Sequence, residues 1–112
     1  MKTKTLEFRL QDKGHFEAIK RRLKTVETRA ASEKYCDIKP GDSVSFRCGT
    51  EEVVMKVQAV EHYSSIEKLL DEIPIDRLMP GLTTLEEVKK AYRGYPGYEQ
   101  KIAQHGLIAL FL

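Results

Sequence analysis

Lys24, Glu27 and Arg29 set two cations and a carboxylate close together in the stretch Arg22-Leu-Lys-Thr-Val-Glu-Thr-Arg29. On a strand, alternate residues share a face, so Glu27 and Arg29 project together and Thr25 joins them. Lys24 precedes that strand, where the chain is still leaving a helical turn, and its long stem can swing over the same face. Two readings follow. A surface set of salt bridges contributes only about 0–1 kcal/mol per pair and has no further role. A ligand-facing set has distinct chemistry: Arg grips a phosphate or a base edge with two parallel donors, Lys supplies a point charge, and Glu accepts from the exocyclic amine of cytosine or adenine.

Five tyrosines could add stacking, which contributes about 1–3 kcal/mol per base where it occurs: Tyr35, Tyr63, Tyr92, Tyr95 and Tyr98. Helical spacing assigns Tyr92 to a core face. Tyr95 and Tyr98 flank a turn and either cover the core or wall a cleft. His15, His62 and His105 are scattered with no nucleophile beside them and read as incidental polar residues. Cys36 and Cys48 lack the spacing of a zinc site, so no metal and no cofactor are expected. Cys48 reads as a small core residue, Cys36 as a loop residue, and no disulfide is expected between them.

The elements that must position these groups follow from hydrophobic period. Leu6, Phe8 and Leu10 alternate with polar neighbours, a half-buried strand over 4–10. Asp12 can cap the next helix, whose core face is Phe16, Ile19 and Leu23. Its end carries Lys20, Arg21, Arg22 and Lys24, which either complement the helix dipole or form an electropositive rim around the charged stretch. A β-branched strand over 25–30 and a loop over 32–39 follow. Pro40-Gly41 turns the chain into a one-sided strand of Val44, Phe46 and Cys48, a Gly49 hairpin follows, and 53–63 reads as one long β segment. Ser64-Ser-Ile-Glu67 has capping-box form and opens a helix with Ile66, Leu69, Leu70 and Ile73 inward, stopped by Pro74. Thr83 or Thr84 caps another, with Leu85, Val88 and Tyr92 inward. A last short turn ends at Gly106, and the apolar run 107–112 is a central strand. Antiparallel strands joined by glycine turns predict a small barrel or strongly bent sheet.

At 112 residues the chain fits one domain over 1–112. Apolar residues at 41% and charged residues at 32% describe an ordinary soluble globule. A formal charge of +2 is too small to argue for nucleic acid by itself, so that argument rests on where the charges lie. The N-terminus has no apolar run of a secretory signal and no stretch approaches a spanning helix, so no membrane association and a cytoplasmic location are expected.

The spacing x-x-Lys24-x-x-Glu27-x-Arg29 resembles the Gly-x-Lys-x-x-Glu-x-Arg signature of the ASCH domain family, with Arg22 at the usual glycine. Asp37-Ile-Lys-Pro-Gly-Asp-Ser-Val-Ser-Phe46 is similar to that family's next turn and strand. The Val/Lys strand, the Ser-led helix, Tyr95-Pro96 and the closing apolar strand recur in its order, so the resemblance spans nearly the whole chain. It implies an α+β fold built on a PUA-like mixed or antiparallel β-barrel with flanking short helices. It also implies a cleft for RNA or a modified nucleoside, lined by Lys24, Thr25, Glu27 and Arg29, with Arg22 and Tyr95 at the rim. A second implied reading is a small amidohydrolase acting on N4-acetylcytidine-type nucleosides, with Lys24 and Glu27 as catalytic candidates. In those enzymes the catalytic Thr falls at Glu27 and the Glu near Gly81, leaving Thr25, Glu72 or Asp76 as substitutes. A ribonuclease is a further possibility. A third class is a protein-interaction module of a transcription or translation coregulator.

Overall fold

The computed structural model describes residues 3–112. The chain runs β1 (Thr3–Phe8), a 3-10 turn (Leu10–Asp12), α1 (Lys13–Lys20), β2 (Val26–Ala30), β3 (Ser43–Cys48), β4 (Glu51–Lys56) and β5 (Ala59–Tyr63). It then continues through α2 (Ile66–Glu72), α3 (Ile75–Leu78), α4 (Leu85–Arg93), α5 (Tyr98–His105) and β6 (Leu107–Phe111). The fold is α+β with two three-stranded sheets, ordered β1-β3-β4 and β2-β6-β5. The first is mixed, with β1 parallel to β3 and β3 antiparallel to β4; the second is antiparallel throughout. Among the described residues the six strands form these two sheets and no hydrogen-bonded closed barrel.

The predicted long segment over 53–63 is two strands belonging to different sheets. The change of sheet happens at Val57-Gln58: Val57 N donates to Asp42 O, still in the first sheet, and Gln58 N donates to Phe111 O in the second. Period alone cannot see this break, because β4 and β5 each carry apolar residues on both sides of it. The apolar run at the end of the chain is the central strand β6, and it separates the two cores. Ile108 and Leu110 join Leu6, Phe16, Ile19, Val44 and Phe46 on one face. Leu107 and Ala109 join Val26, Leu69, Leu78, Val88 and Tyr92 under the helices on the other.

Helix ends differ from the sequence reading in instructive ways. Ser65, not Ser64, caps α2 by accepting from Lys68 N. Thr84 caps α4 in a full capping box with Glu87. Asp12 stands at the start of α1 but makes no side-chain cap, because Arg9 takes its carboxylate at 2.6 Å. The turn ending at Gly106 is a helix of two turns, and Gly106, with φ 72°, would bring a Cβ within 2.6 Å of Tyr63 O.

The end of α1 is the turn that matters for the site. Leu23 N donates to Ala18 O and Arg22 N to Ile19 O, the paired bonds of a Schellman motif, with Arg22 at φ 62° in its left-handed position. This turn ends the helical phase after Ile19, so Leu23, predicted inward, is 60% exposed. Lys24 points inward in its place. The left-handed residue of this motif is usually Gly, because a Cβ there costs roughly 1–2 kcal/mol. Arg22→Gly is therefore expected to raise stability by about 1 kcal/mol, part of the relief being offset by the extra chain entropy of Gly. Thermal unfolding would read this, and a lowered midpoint would refute the assignment of strain to Arg22.

Candidate functional site

Lys24 enters the interior from the Schellman turn and becomes the hub of three elements. Its ammonium donates to Val26 O at 3.0 Å, to Leu78 O at the end of α3, and to Glu27 Oε1 at 3.2 Å. All three N–H groups of the ammonium are engaged. Thr25 N also donates to Arg77 O, so α3 is fastened to the start of β2 by main chain and side chain together. At the other end of β2, Ala30 N donates to the Tyr98 hydroxyl at 3.1 Å. Two polar backbone groups of this outer strand are thus satisfied by side chains rather than by a neighbouring strand.

Glu27 and Arg29 share the strand face expected from their spacing. Arg29 Nε donates to Glu27 Oε2 at 3.0 Å, so the carboxylate lies between two cations. The far end of the guanidinium reaches Glu7 O from both terminal nitrogens at 3.3 Å. Its plane lies over Phe8 at 4.9 Å, with Tyr35 at 5.7 Å. The side chains of Lys24, Glu27 and Arg29 are 2%, 5% and 12% exposed, so this is a buried cluster and the reading of it as a surface salt bridge does not apply.

These residues form the floor of a cleft of about 170 Å³ between the two sheets and the C-terminal helices. Glu7, Phe8 and Arg9 come from the end of β1, Asp12 and His15 from the start of α1, and Thr28 from β2. Met79, Tyr92, Tyr95 and Tyr98 close the opposite wall. The Tyr92 and Tyr98 rings are parallel within 5° at 6.3 Å, Tyr95 packs on Tyr98 at 5.3 Å, and Arg9 lies over Tyr95 at 5.3 Å. Tyr92 is a core residue as predicted, and its hydroxyl also bonds Thr28 Oγ1 on the cleft wall. A space of this size accepts one six-membered ring, since an apolar cavity of about 150 Å³ holds benzene.

Burial and charge set the protonation pattern. Burial lowers the Lys24 pKa, opposed by Glu27 and reinforced by Arg29. Burial would raise Glu27, but Lys24 and Arg29 outweigh it and hold the carboxyl below its ordinary value. Burial lowers Arg29, yet Glu27 prevails and its net shift is upward. His15 is lowered by burial and then by Lys24. Tyr95 and Tyr98 are raised by burial, so both stay as hydroxyl donors. Because Glu27 is depressed in the fold, its contribution to stability is present above the unfolded glutamate value near ~4.3 and disappears as pH falls through the folded value. Stability measured by urea unfolding is therefore expected to fall on acidification below about pH 4.5, and less steeply in Glu27→Gln. Equal acid slopes in both proteins would show that Glu27 titrates normally.

The cleft brings together Lys24, Glu27, Arg29 and Tyr95. Arg22 is exposed on the Schellman turn and does not line it. Thr25, expected beside Glu27, faces away and accepts from Arg77 Nε at 3.0 Å, because the strand begins only at Val26. Glu72 and Asp76 do not line the cleft either; the hydroxyl that does is Thr28. His15 was expected to be incidental and stands on the wall, and Asp12 and Arg9 form an ion pair there. The signal for His15 was its place one residue before Phe16 on α1, beside the buried face. Cys36 is exposed and Cys48 buried, and both are free thiols. Among the described residues no helix is long and apolar enough to cross a membrane.

No protein-family model matches the chain, and no curated protein does. Solved structures do. The crystal structure of hypothetical protein PH0355 is 34% identical, with a TM-score of 0.78 over 99% of this chain and 96% of its own. The solution structure of protein PF0455 from Pyrococcus furiosus is also 34% identical, with a TM-score of 0.69 over 96% of this chain and 94% of its own. Identity at that level across nearly the full length of each protein places this chain in the same family as PH0355 and PF0455.

Proposed function

We propose that the cleft binds RNA or a modified nucleoside in the manner of an ASCH domain, and that the two sheets are an opened variant of the PUA-like barrel. The observation that carries this reading is the convergence of Lys24, Glu27 and Arg29 on the floor of one tyrosine-walled cleft sized for a single ring. Arg29 retains N–H groups beyond those given to Glu27 and Glu7, and each Glu27 oxygen keeps a lone pair for an amine. Tyr95 and Tyr98 offer ring faces and hydroxyls. The Schellman geometry at Arg22 also gives the glycine of the signature a physical sense, since that position sits in the left-handed region.

The amidohydrolase reading draws on the buried Lys24, whose lowered pKa is what a nucleophilic or basic lysine needs. Its three hydrogen bonds weigh against it, because a neutral amine would leave one of three acceptors facing a lone pair. Binding is thus the primary reading. One experiment tests both: the protein is titrated with cytidine, N4-acetylcytidine and a short single-stranded RNA, and the N4-acetylcytidine sample is followed chromatographically for cytidine. Saturable binding without turnover is the expected result. Turnover would install the hydrolase reading, and binding to none of the three would refute the nucleoside cleft.

A further inference from the structure

Charge in the buried floor of the cleft does not balance. Lys24 donates to three acceptors, which holds it as an ammonium, and Arg29 is a guanidinium; Glu27 is the one carboxylate they share. The cluster therefore carries a net positive charge with very little exposure. Two other carboxylates line the cleft, Glu7 and Asp12, and neither makes an ion pair with the cluster among the described residues. Asp12 is paired with Arg9, and Glu7 meets Arg29 through its main-chain carbonyl. A buried charge without a partner is costly, and the remedy open to this cleft is a ligand that brings the counter-charge.

Donors are available to receive it. The two terminal nitrogens of Arg29 carry four N–H groups and share Glu7 O between them at 3.3 Å, a long contact, which leaves one N–H on each nitrogen unengaged for an oxyanion. His15 lines the same cleft, half-buried, and makes no hydrogen bond to the described residues. The charged groups around it are Asp12 on its own turn and Lys24, Glu27 and Arg29 from the facing segment.

We propose that the ligand of this cleft carries an oxyanion, a phosphate of a nucleotide or of an RNA chain, received by the free N–H groups of Arg29 and by His15. The inference rests on the nucleotide reading for the identity of the oxyanion, while the unbalanced charge stands apart from it. A neutral nucleoside would leave the positive charge unmatched.

The test is an NMR titration of the full chain with inorganic phosphate, cytidine, cytidine 5′-monophosphate and a short single-stranded RNA. Inorganic phosphate is expected to shift the Arg29 side chain and the His15 imidazole saturably and to raise the titration midpoint of His15, with His62 and His105 as internal controls. Cytidine 5′-monophosphate is expected to bind at least about tenfold tighter than cytidine, the effect of one charge-assisted contact. His15→Gln keeps a donor and a fold close to native, and should reduce the pH dependence of phosphate binding to that of the phosphate's own ionisation while retaining part of the affinity. Tighter binding of RNA than of the monophosphate assigns the phosphate to a chain; the reverse assigns it to a free nucleotide. If phosphate binds and neither cytidine nor its monophosphate adds affinity, the oxyanion site stands and the nucleoside reading fails. If cytidine binds as tightly as its monophosphate, or phosphate gives no saturable shift, the oxyanion proposal is overturned.

Discussion

Replacing Lys24 with Met is expected to lower the free energy of unfolding by about 3–5 kcal/mol, the range seen when one partner of a buried ion pair is removed. Met keeps most of the volume and loses the charge. Three acceptors then lose their donor at once: Val26 O, Leu78 O and Glu27 Oε1. Glu27 would remain paired with Arg29 alone, and α3 would lose the tie that Lys24 makes to Leu78 O, keeping those of Arg77 to Thr25. Urea unfolding would measure the loss, and a drop of under about 1 kcal/mol would mean that Lys24 behaves as an exposed surface group. Adding Glu27→Leu to Lys24→Met should deepen the loss, because the second change strips the buried Arg29 of its carboxylate. The consequence for function is practical: a Lys24 variant without activity is uninformative about chemistry until its fold has been verified.

Arg29→Met is expected to weaken ligand binding by about 100-fold, the effect of two charge-assisted hydrogen bonds of about 1.5 kcal/mol each. Its effect on the fold should be smaller than that of Lys24→Met. Glu27 keeps Lys24 at 3.2 Å, and the Met stem still packs on Phe8 and Tyr35. Arg29→Lys separates charge from geometry, since it restores a cation without the planar fork. Partial rescue by Lys would assign the contact to charge, and no rescue would assign it to the paired donors. Affinity in Arg29→Met equal to that of the parent, with the fold intact, would remove Arg29 from the site.

Much of the site was legible in sequence because its floor is local. Glu27 and Arg29 lie on one strand face through the two-residue period alone, and their contact at 3.0 Å follows from it. Thr25 shows how far that rule reaches. The strand begins at Val26, one residue later than the β-branched pattern implied, and Thr25 pairs with Arg77 instead. Likewise, the periodicity of α1 predicted Leu23 inward, and a helix stop with an arginine in the left-handed position gave no composition cue. That single turn exchanged Leu23 for Lys24 as the buried side chain.

By itself the sequence determined the types of most elements, the apolar central strand, a cap at Thr83 or Thr84, the cap at Gly106, and the crowding of three charges at one seam, since each depends on neighbours a few residues apart. Only the tertiary structure decided that the charges are buried, that α3 supplies a carbonyl to Lys24, and that two sheets rather than one carry the strands. It also decided that His15, Thr28 and three tyrosines complete the walls. The reason is distance along the chain. Lys24 meets Leu78, Thr28 meets Tyr92 and Ala30 meets Tyr98 across 54, 64 and 68 residues, and such contacts are set by which faces pack rather than by any local pattern.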